Sequence, residues 1–452
     1  MKFDARKTAW TTLNKLDKGR KTLKILLEEL NLDETHVPKR DRALFNALVH
    51  GVIRWRGRLD YILSHFSNTP LKKIDPRVLN VLRLALFQII YLDRIPKSAA
   101  VNTAVELTKT AGAPWVVGYV NALLRRASKE HQHVKFPGIA NNNAESLAAD
   151  KSFPMWIIER WLGRYGLDVT SRLCDAVNSI APITVRTNRL KTSPQKLMNA
   201  IANDVEHVTQ TSYSQDGILF FNPQTTIPKF NAFKRGWFQV QDEAAQLVSL
   251  HLNPQPGETV LDACAGYGGK TGHIAQLMNN DGAIVATDRN AKKLLQLESE
   301  MQRLGVSIVS TQCRDLEHPF NQECFGVYDR IILDAPCSGL GVMRRNPDIK
   351  WLNCKKNLMH FKQTQIQLIH NLALLVKPNG ILLYSVCSPE PEENEDVVKD
   401  FLKKNKDFVI DYGSGQLPGE LGQLVKSQGC LRTYPDFSQM DGFFSIRLRR
   451  IS

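Results

Sequence analysis

Two of the eight cysteines in this 452-residue chain stand where a thiol could do chemistry. Cys337 follows an apolar run in ILDAPCSGLGVMRRNPDIKW, and Cys387 follows another in ILLYSVCSPEPEENEDVV. Both runs read as β-strands, so each cysteine falls at the carboxyl end of a strand. For either one alone, a buried structural thiol is an adequate account. Two at matching strand ends form a more specific arrangement. A thiolate is a strong nucleophile, but a free thiol, with a pKa of about 8.5, ionises only partly near neutral pH and needs a positive neighbour or a well-placed partner. Lys270 is the nearest candidate by strand order. Such a pair suits addition to an electron-poor ring. Carbon 5 of cytosine is a poor nucleophile, and a thiolate added at carbon 6 makes it enamine-like and able to attack an electrophilic methyl group. Asp334 could hydrogen-bond the exocyclic amine and ring N3, and one thiol could act as nucleophile while the other assists release.

A glycine-rich loop precedes these strands. In LDACAGYGGKTGHIAQL, residues Cys264, Ala265, Gly266, Tyr267, Gly268 and Gly269 lead into a helix carrying Lys270 and Thr271. Glycines here let backbone approach a ligand closely at a helix N-terminus. Phosphates, dinucleotides and adenosyl cofactors all use such loops. A nucleotide-triphosphate loop of the Walker A type requires glycine five residues before Gly269, where this chain has Cys264. Asp288 closes the next strand in ATDRN, placed to accept hydrogen bonds from both hydroxyls of a ribose. Asp315 closes a third in CRDL, within reach of an adenine edge. Helix N-capping is the other account of both aspartates. Loop and acids on three successive strands fit an adenosyl group.

The elements that must position these residues alternate in type. After Gly236, strands are expected at Thr259–Ala263, Ala283–Thr287, Ser307–Gln312, Asp329–Leu333 and Ile381–Val386, with helices between them. This pattern signals a doubly wound parallel sheet whose ligands bind at the carboxyl ends of its strands. Before it, helices at Pro154–Tyr165 and Val169–Asn178, strands at Ile183–Thr187 and Gly217–Phe221, and a helix at Pro194–Asn203 read as a small α+β insert ending near Phe233. From Lys2 to about Glu130 apolar residues recur at helical spacing, with segments at Leu23–Leu30, Asp41–Trp55, Leu59–Phe66, Val78–Leu92 and Ala99–Thr108 punctuated by prolines. Residues 131–143 (HQHVKFPGIANNN) read as a linker. The expected organisation is a helical domain over 1–135, an α+β subdomain over 145–235 and an α/β domain over 236–452.

The net charge of +14 is unevenly spread. Residues 1–135 hold 25 Lys and Arg against 12 Asp and Glu, and the remainder is nearly balanced. A basic helical surface of this kind attracts a phosphate backbone, although basic helical domains are often merely soluble. Arg54, Arg56 and Arg58 in RWRGR are candidates for phosphate contact, with a solvated turn as the alternative. The cysteines form no CxxC pair and no metal-like spacing with histidine, so no metal site and no disulfide framework is expected. No apolar run approaches membrane-span length, and the N-terminus lacks the apolar core of a secretory signal, so the cytoplasm is expected.

At these residues the chain resembles the RNA cytosine-C5 methyltransferases, most closely their bacterial 16S ribosomal RNA branch. Pro336-Cys337-Ser338-Gly339, Tyr384-Ser385-Val386-Cys387-Ser388, Glu392-Glu393-Asn394 and Asp441-Gly442-Phe443-Phe444 match the family. Residues 1–130 resemble the RNA-binding helical domain of the antitermination factor NusB. The resemblance implies a NusB-like all-α bundle, a small α+β RNA-binding insert and a Rossmann-like class I methyltransferase domain. It also implies S-adenosylmethionine as cofactor, 16S ribosomal RNA as partner and a monomer. It makes Cys387 the nucleophile and Cys337 the helper in release, and assigns the cofactor to Cys264 through Lys270, Asp288, Asp315 and Asp334. Two departures stand out: Gly266-Tyr267 where the family has Ala-Pro, and Val386 where it has threonine. A competing class is an RNA-binding factor with a decayed catalytic fold. It predicts a broken loop or a missing cysteine, and both are intact.

Overall fold

The basic N-terminal region of the computed structural model folds as helices. Described residues are 3–32, 37–111, 114–137, 143–318, 320, 326–412, 421–425, 429–435 and 440–452. They divide into two units, Met1–Ser179 with Arg345–Asn353, and Ile180–Arg344 with Cys354–Ser452.

In the first unit the helices are Ala5–Leu16, Leu23–Leu30, Lys39–Arg54, Arg56–Phe66, Pro76–Tyr91, Lys97–Ala111, Pro114–Glu130, Asn143–Asp150 and Met155–Asn178. Side-chain caps set several starts: Asp4 accepts from the backbone of Arg6 and Lys7, and Asp75 caps a helix whose first residue is Pro76. The Pro76–Tyr91 helix is buried from Val78 to Ile89, as expected of an element surrounded by its neighbours. Arg83 on this helix is paid for by a fork onto both oxygens of Asp60, each at 2.7 Å. The two helices expected between 154 and 178 form one run broken at Gly166, whose φ of 75° ends regular α geometry. The linker expected over 131–143 lies partly outside the described residues.

Two of the RWRGR arginines are engaged within this unit. Arg56 pairs with Asp17 at 2.9 Å, and Arg58 pairs with Asp150 at 3.2 Å while covering the Phe136 ring at 4.9 Å. Both are tied to acids of this unit, contacts that sequence spacing did not show. The chain also brings Arg345–Asn353 into this unit, where Lys350 is fully buried. Its ammonium donates to Asn178 Oδ1 at 2.5 Å and lies over the Phe153 ring at 3.8 Å.

The second unit contains two sheets. The smaller is antiparallel, with β1 (Ile183–Thr187), β2 (Glu206–Gln210), β3 (Gly217–Phe221) and β4 (Phe238–Val240) in the order β2-β3-β1-β4. β1 and β3 match expectation. β2 escaped it because an exposed edge strand of sequence EHVTQ carries no apolar alternation.

The larger sheet comprises β5 (Thr259–Ala263), β6 (Ala283–Asp288), β7 (Val309–Cys313), β8 (Tyr328–Asp334), β9 (Val376–Val386), β10 (Phe408–Ile410), β11 (Cys430–Arg432) and β12 (Phe444–Arg450). Its order is β10-β12-β9-β8-β5-β6-β7, with β11 on β12. β5 to β9 are parallel, and all five anticipated strands are present. The antiparallel additions follow the last crossover, with β12 aligned so that Phe444 faces Val386. Both faces of the sheet are covered, so the strand interiors are apolar runs: IIL in β8, ILLY in β9, and VLDA in β5 save for the buried Asp262.

Candidate active site

Register brings the carboxyl ends of the central strands together: Ala263 pairs with Leu333 and Thr287, and Asp334 pairs with Ser385. The residues that follow these pairs therefore share one edge. Past β5 the loop turns sharply, with positive φ at Cys264 (63°), Gly266 (59°) and Gly268 (80°), before the helix Gly269–Leu277 begins. At Gly268 a side chain is excluded, because a Cβ would lie 2.6 Å from Leu297 Cγ.

A cavity of ≈ 220 Å³ opens beside this loop, and Cys264, Asp288, Asp315 and Asp334 all line it. Asp288 Oδ2 accepts from Gly266 N at 3.0 Å, and Oδ1 accepts from Asn290 N at 2.8 Å. Each carboxylate oxygen retains a second lone pair for an incoming hydroxyl. Asp315 Oδ1 accepts from Glu317 N at 3.0 Å. Asn290 caps the helix Ala291–Leu304, so Asp288 is not that helix's cap. Burial, with Asp334 and Asp288 nearby, pushes the Cys264 thiol up to about 12, leaving it an unreactive wall of the cavity. Ala265 packs against the core under the Ala291–Leu304 helix, and the Tyr267 ring stands half-exposed with the Lys293 ammonium 5.9 Å from its centre. Sequence reasoning missed Arg289, Lys293, Arg314, Leu316, Glu317 and Leu368, which also line the cavity, whereas Pro336, which it placed beside Cys337, lines it too. Arg289 had a signal, being the next residue after Asp288 in ATDRN. The donor set fits an adenosyl cofactor: Asp288 ends β6, Asp315 lies two residues past β7, both line the cavity, and the loop beside them turns through Gly268, where a Cβ would clash.

The smaller sheet supports this loop. Arg186 on β1 is fully buried and donates to Gly269 O at 2.9 Å, to Gln239 at 2.9 Å, to Gln241, and to Gln276 at 3.3 Å. Burial lowers its pKa to about 9. The guanidinium thereby ties β1 to both ends of the helix Gly269–Leu277.

Beside the cavity, Lys270 Nζ donates to Asp334 Oδ2 at 2.6 Å, and the same ammonium is 5.3 Å from the Phe443 ring centre. Burial pulls the Lys270 pKa down, but Asp334 outweighs it and the net shift is upward, with Asp262 and Cys387 adding to it. Lys270 is thus a firmly held cation at the strand edge. Asp262, buried beneath the loop, accepts from Thr271 Oγ1 at 2.6 Å, and burial raises its pKa to about 7.

The sulfurs of Cys337 and Cys387 lie 3.3 Å apart. The hydrogen bond with Cys387 and burial push the Cys337 thiol well up, with Glu393 and Asp334 acting in the same direction. These effects all favour the protonated form of Cys337. The two cysteine loops are joined by a buried carboxylate absent from the sequence-based roles, Glu393. It accepts from Ser338 N at 2.7 Å, from Ser338 Oγ at 2.6 Å and from Ser388 Oγ. Backbone completes the join: Gly341 N donates to Cys387 O at 2.9 Å, and Gly442 N donates to Gly341 O at 2.9 Å.

Residues 249–449 match the model of the 16S rRNA methyltransferase RsmB/F family, residues 4–129 that of the NusB family, and residues 153–226 that of an RsmF/B-like ferredoxin-like domain. The chain is 33% identical over 454 residues to a probable ribosomal RNA small subunit methyltransferase B of Bacillus subtilis (strain 168), covering 99% of each. It is 35% identical over 410 residues to a protein of the same description from Synechocystis sp., covering 91% of each. Among solved structures, the crystal structure of PH0851 superposes over 100% of both chains with a TM-score of 0.80 and 25% identity. A methyltransferase homolog from Pyrococcus horikoshii covers 69% of this chain and 99% of its own, with a TM-score of 0.57 and 27% identity. With full-length relatives above 30% identity and all three segments matched in order, the chain belongs to the 16S rRNA methyltransferase RsmB/F family.

Proposed function

We propose that this protein methylates carbon 5 of a cytosine in 16S ribosomal RNA, with S-adenosylmethionine as donor and Cys387 as nucleophile. The observation that carries the reading is the pair of sulfurs 3.3 Å apart at the edge where Lys270 and Asp334 also meet. The substrate class is supported by the relatives described as probable methyltransferases of small-subunit ribosomal RNA.

The loop Cys264–Gly269, Asp288 and Asp315 would hold the cofactor, which when bound would supply an electrophilic methyl group on a sulfonium. Lys270 places a positive charge near Cys387. The Cys387 sulfur bonds to carbon 6 of the cytosine, and the former ring π pair makes carbon 5 the nucleophile that takes the methyl group, the electron pair of the broken sulfur–methyl bond staying on the donor sulfur as a thioether. Asp334 accepts from the exocyclic amine, orienting the base. A base then removes the carbon 5 proton, the carbon–sulfur bond breaks and the ring double bond returns. Cys337, held protonated against Cys387, assists that release.

On this reading residues 1–135 and 145–235 bind RNA, residues 236–452 form the methyltransferase domain, and the protein works as a cytoplasmic monomer without a metal. The test is bisulfite mapping of 16S ribosomal RNA from a strain lacking the gene. One cytosine loses its methyl group there, and the intact gene restores it whereas the Cys387→Ala variant does not. An unchanged methylation map sinks the proposal.

A further inference from the structure

Cys337 and Cys387 leave adjacent strands on separate loops, so a spacing of 3.3 Å between their sulfurs requires something to hold those loops in step. A single side chain reaches both. We infer that Glu393 is the positioning residue that holds Cys337 and Cys387 as a working pair, by accepting hydrogen bonds from the residue that follows each cysteine. The inference rests on the thiol chemistry proposed above and names the group that makes it geometrically possible.

The division of labour within the carboxylate is specific. Oε1 accepts from Ser338 N at 2.7 Å and from Gln365 Nε2 at 3.3 Å, while Oε2 accepts from Ser338 Oγ at 2.6 Å and from Ser388 Oγ. The two serine hydroxyls are themselves 3.2 Å apart. Gln365 also donates to Pro336 O at 2.9 Å, on the other side of Cys337. The clamp is anchored at its own end as well: Tyr384 Oη donates to Glu393 O at 2.6 Å, and Asn394 Nδ2 donates to Ser388 O at 3.1 Å. Residues 336, 338 and 388 are thus bound into one network centred on position 393, which is completely buried.

A buried carboxylate is costly unless it is well solvated by donors. Burial raises the Glu393 pKa, and the donors from Ser338, Ser388 and Gln365 oppose that rise. An apolar residue with simple packing would have filled the same space without this cost, so the carboxylate is retained for what its two oxygens can join. Its charge acts on the chemistry too. It opposes ionisation of Cys337, adding to the effect of the Cys387 hydrogen bond and of burial. Removing Glu393 therefore loosens the spacing and lifts one of the effects that hold the proton on Cys337.

Phenylarsine oxide measures the spacing directly. It condenses with two thiols that lie within bridging distance, releasing one water and forming two arsenic–sulfur bonds without oxidising either sulfur. Peptide mass spectrometry of the full chain locates the bridge. In the native protein it spans Cys337 and Cys387. In Glu393→Ala capture at that pair slows by roughly tenfold or more, since effective concentration falls once the loops part. Turnover on unmethylated 16S ribosomal RNA falls by about 100-fold, while KM for S-adenosylmethionine stays within about threefold. Glu393→Gln keeps the shape and one acceptor oxygen, and recovers a substantial part of both capture and turnover. Thermal unfolding of each variant guards against simple loss of fold. The inference is overturned if capture in a folded Glu393→Ala protein matches the native rate. It is also overturned if turnover of Glu393→Ala is native. Capture needs neither RNA nor methyl donor, so native protein that makes no 5-methylcytosine but loses capture on substitution at 393 would overturn the reaction proposed above and support the clamp.

Discussion

Lys270 and Asp334 meet at 2.6 Å although one opens the helix after β5 and the other closes β8. The pair is mostly shielded from water, with the lysine side chain 12% and the aspartate 31% exposed. An ion pair in such a place is strongly felt when one partner is removed, because the other charge stays behind. Lys270→Met is expected to destabilise the fold by about 3 kcal/mol and to lower turnover by roughly 100-fold or more. Urea denaturation and single-turnover methylation measure the two effects separately. A variant with native turnover would remove Lys270 from the chemistry.

The thiols differ in role and so should differ on substitution. Cys387→Ala abolishes methyl transfer and leaves S-adenosylmethionine binding intact, as read by calorimetry. Cys337→Ala allows addition and methylation but not timely release, so a covalent protein–RNA adduct accumulates as a slower band on a denaturing gel. An adduct on the Cys387 variant instead would exchange the assignments.

Gly268 occupies the left-handed region at φ 80°, with Leu297 Cγ 2.6 Å from where a Cβ would stand. Gly268→Ala combines backbone strain of roughly 1–3 kcal/mol with a clash against the Ala291–Leu304 helix. The expected result is a lower melting temperature and weaker cofactor binding together. Unchanged cofactor affinity would show that the loop does not form the cradle.

His251 is buried with Nδ1 2.9 Å from Ser445 Oγ, and burial followed by the nearby Arg447 drives its pKa down to about 3. Below about pH 6.5 the unfolded chain takes up the proton and the folded chain does not. The stabilisation is therefore complete above that pH and is lost as pH falls towards 3, at about 1.4 kcal/mol per pH unit. The difference in unfolding free energy between the native chain and His251→Gln should shrink with this slope from pH 6.5 to 4. A difference that does not vary with pH would mean the imidazole is protonated in the fold.

Much of the larger sheet was legible because its signals are local. VLDA, IVAT and IILD are apolar runs ended by an acidic or small residue, and the helices between them repeat at a different period. β7 is placed two residues later than its polar sequence suggested, and β2 and β10 were invisible: one is an exposed edge strand, the other three residues long. The arginines of RWRGR were legible as cations but not as partners of Asp17 and Asp150, since the acids lie 39 and 92 residues away in sequence. Glu393 stood within a recognisable motif, yet nothing in PEENE tells which glutamate turns inward.

The sequence by itself determined the order of elements, the carboxyl-end position of both cysteines and the glycine loop, because strand period, turn residues and motif spacing are properties of neighbouring residues. Only the tertiary structure decided that the two sulfurs stand 3.3 Å apart, that Lys270 finds Asp334 and that one carboxylate spans Ser338 and Ser388. These contacts join residues brought together by parallel strand register and by burial, and hydrogen-bond distances of that kind are set by how the whole sheet packs.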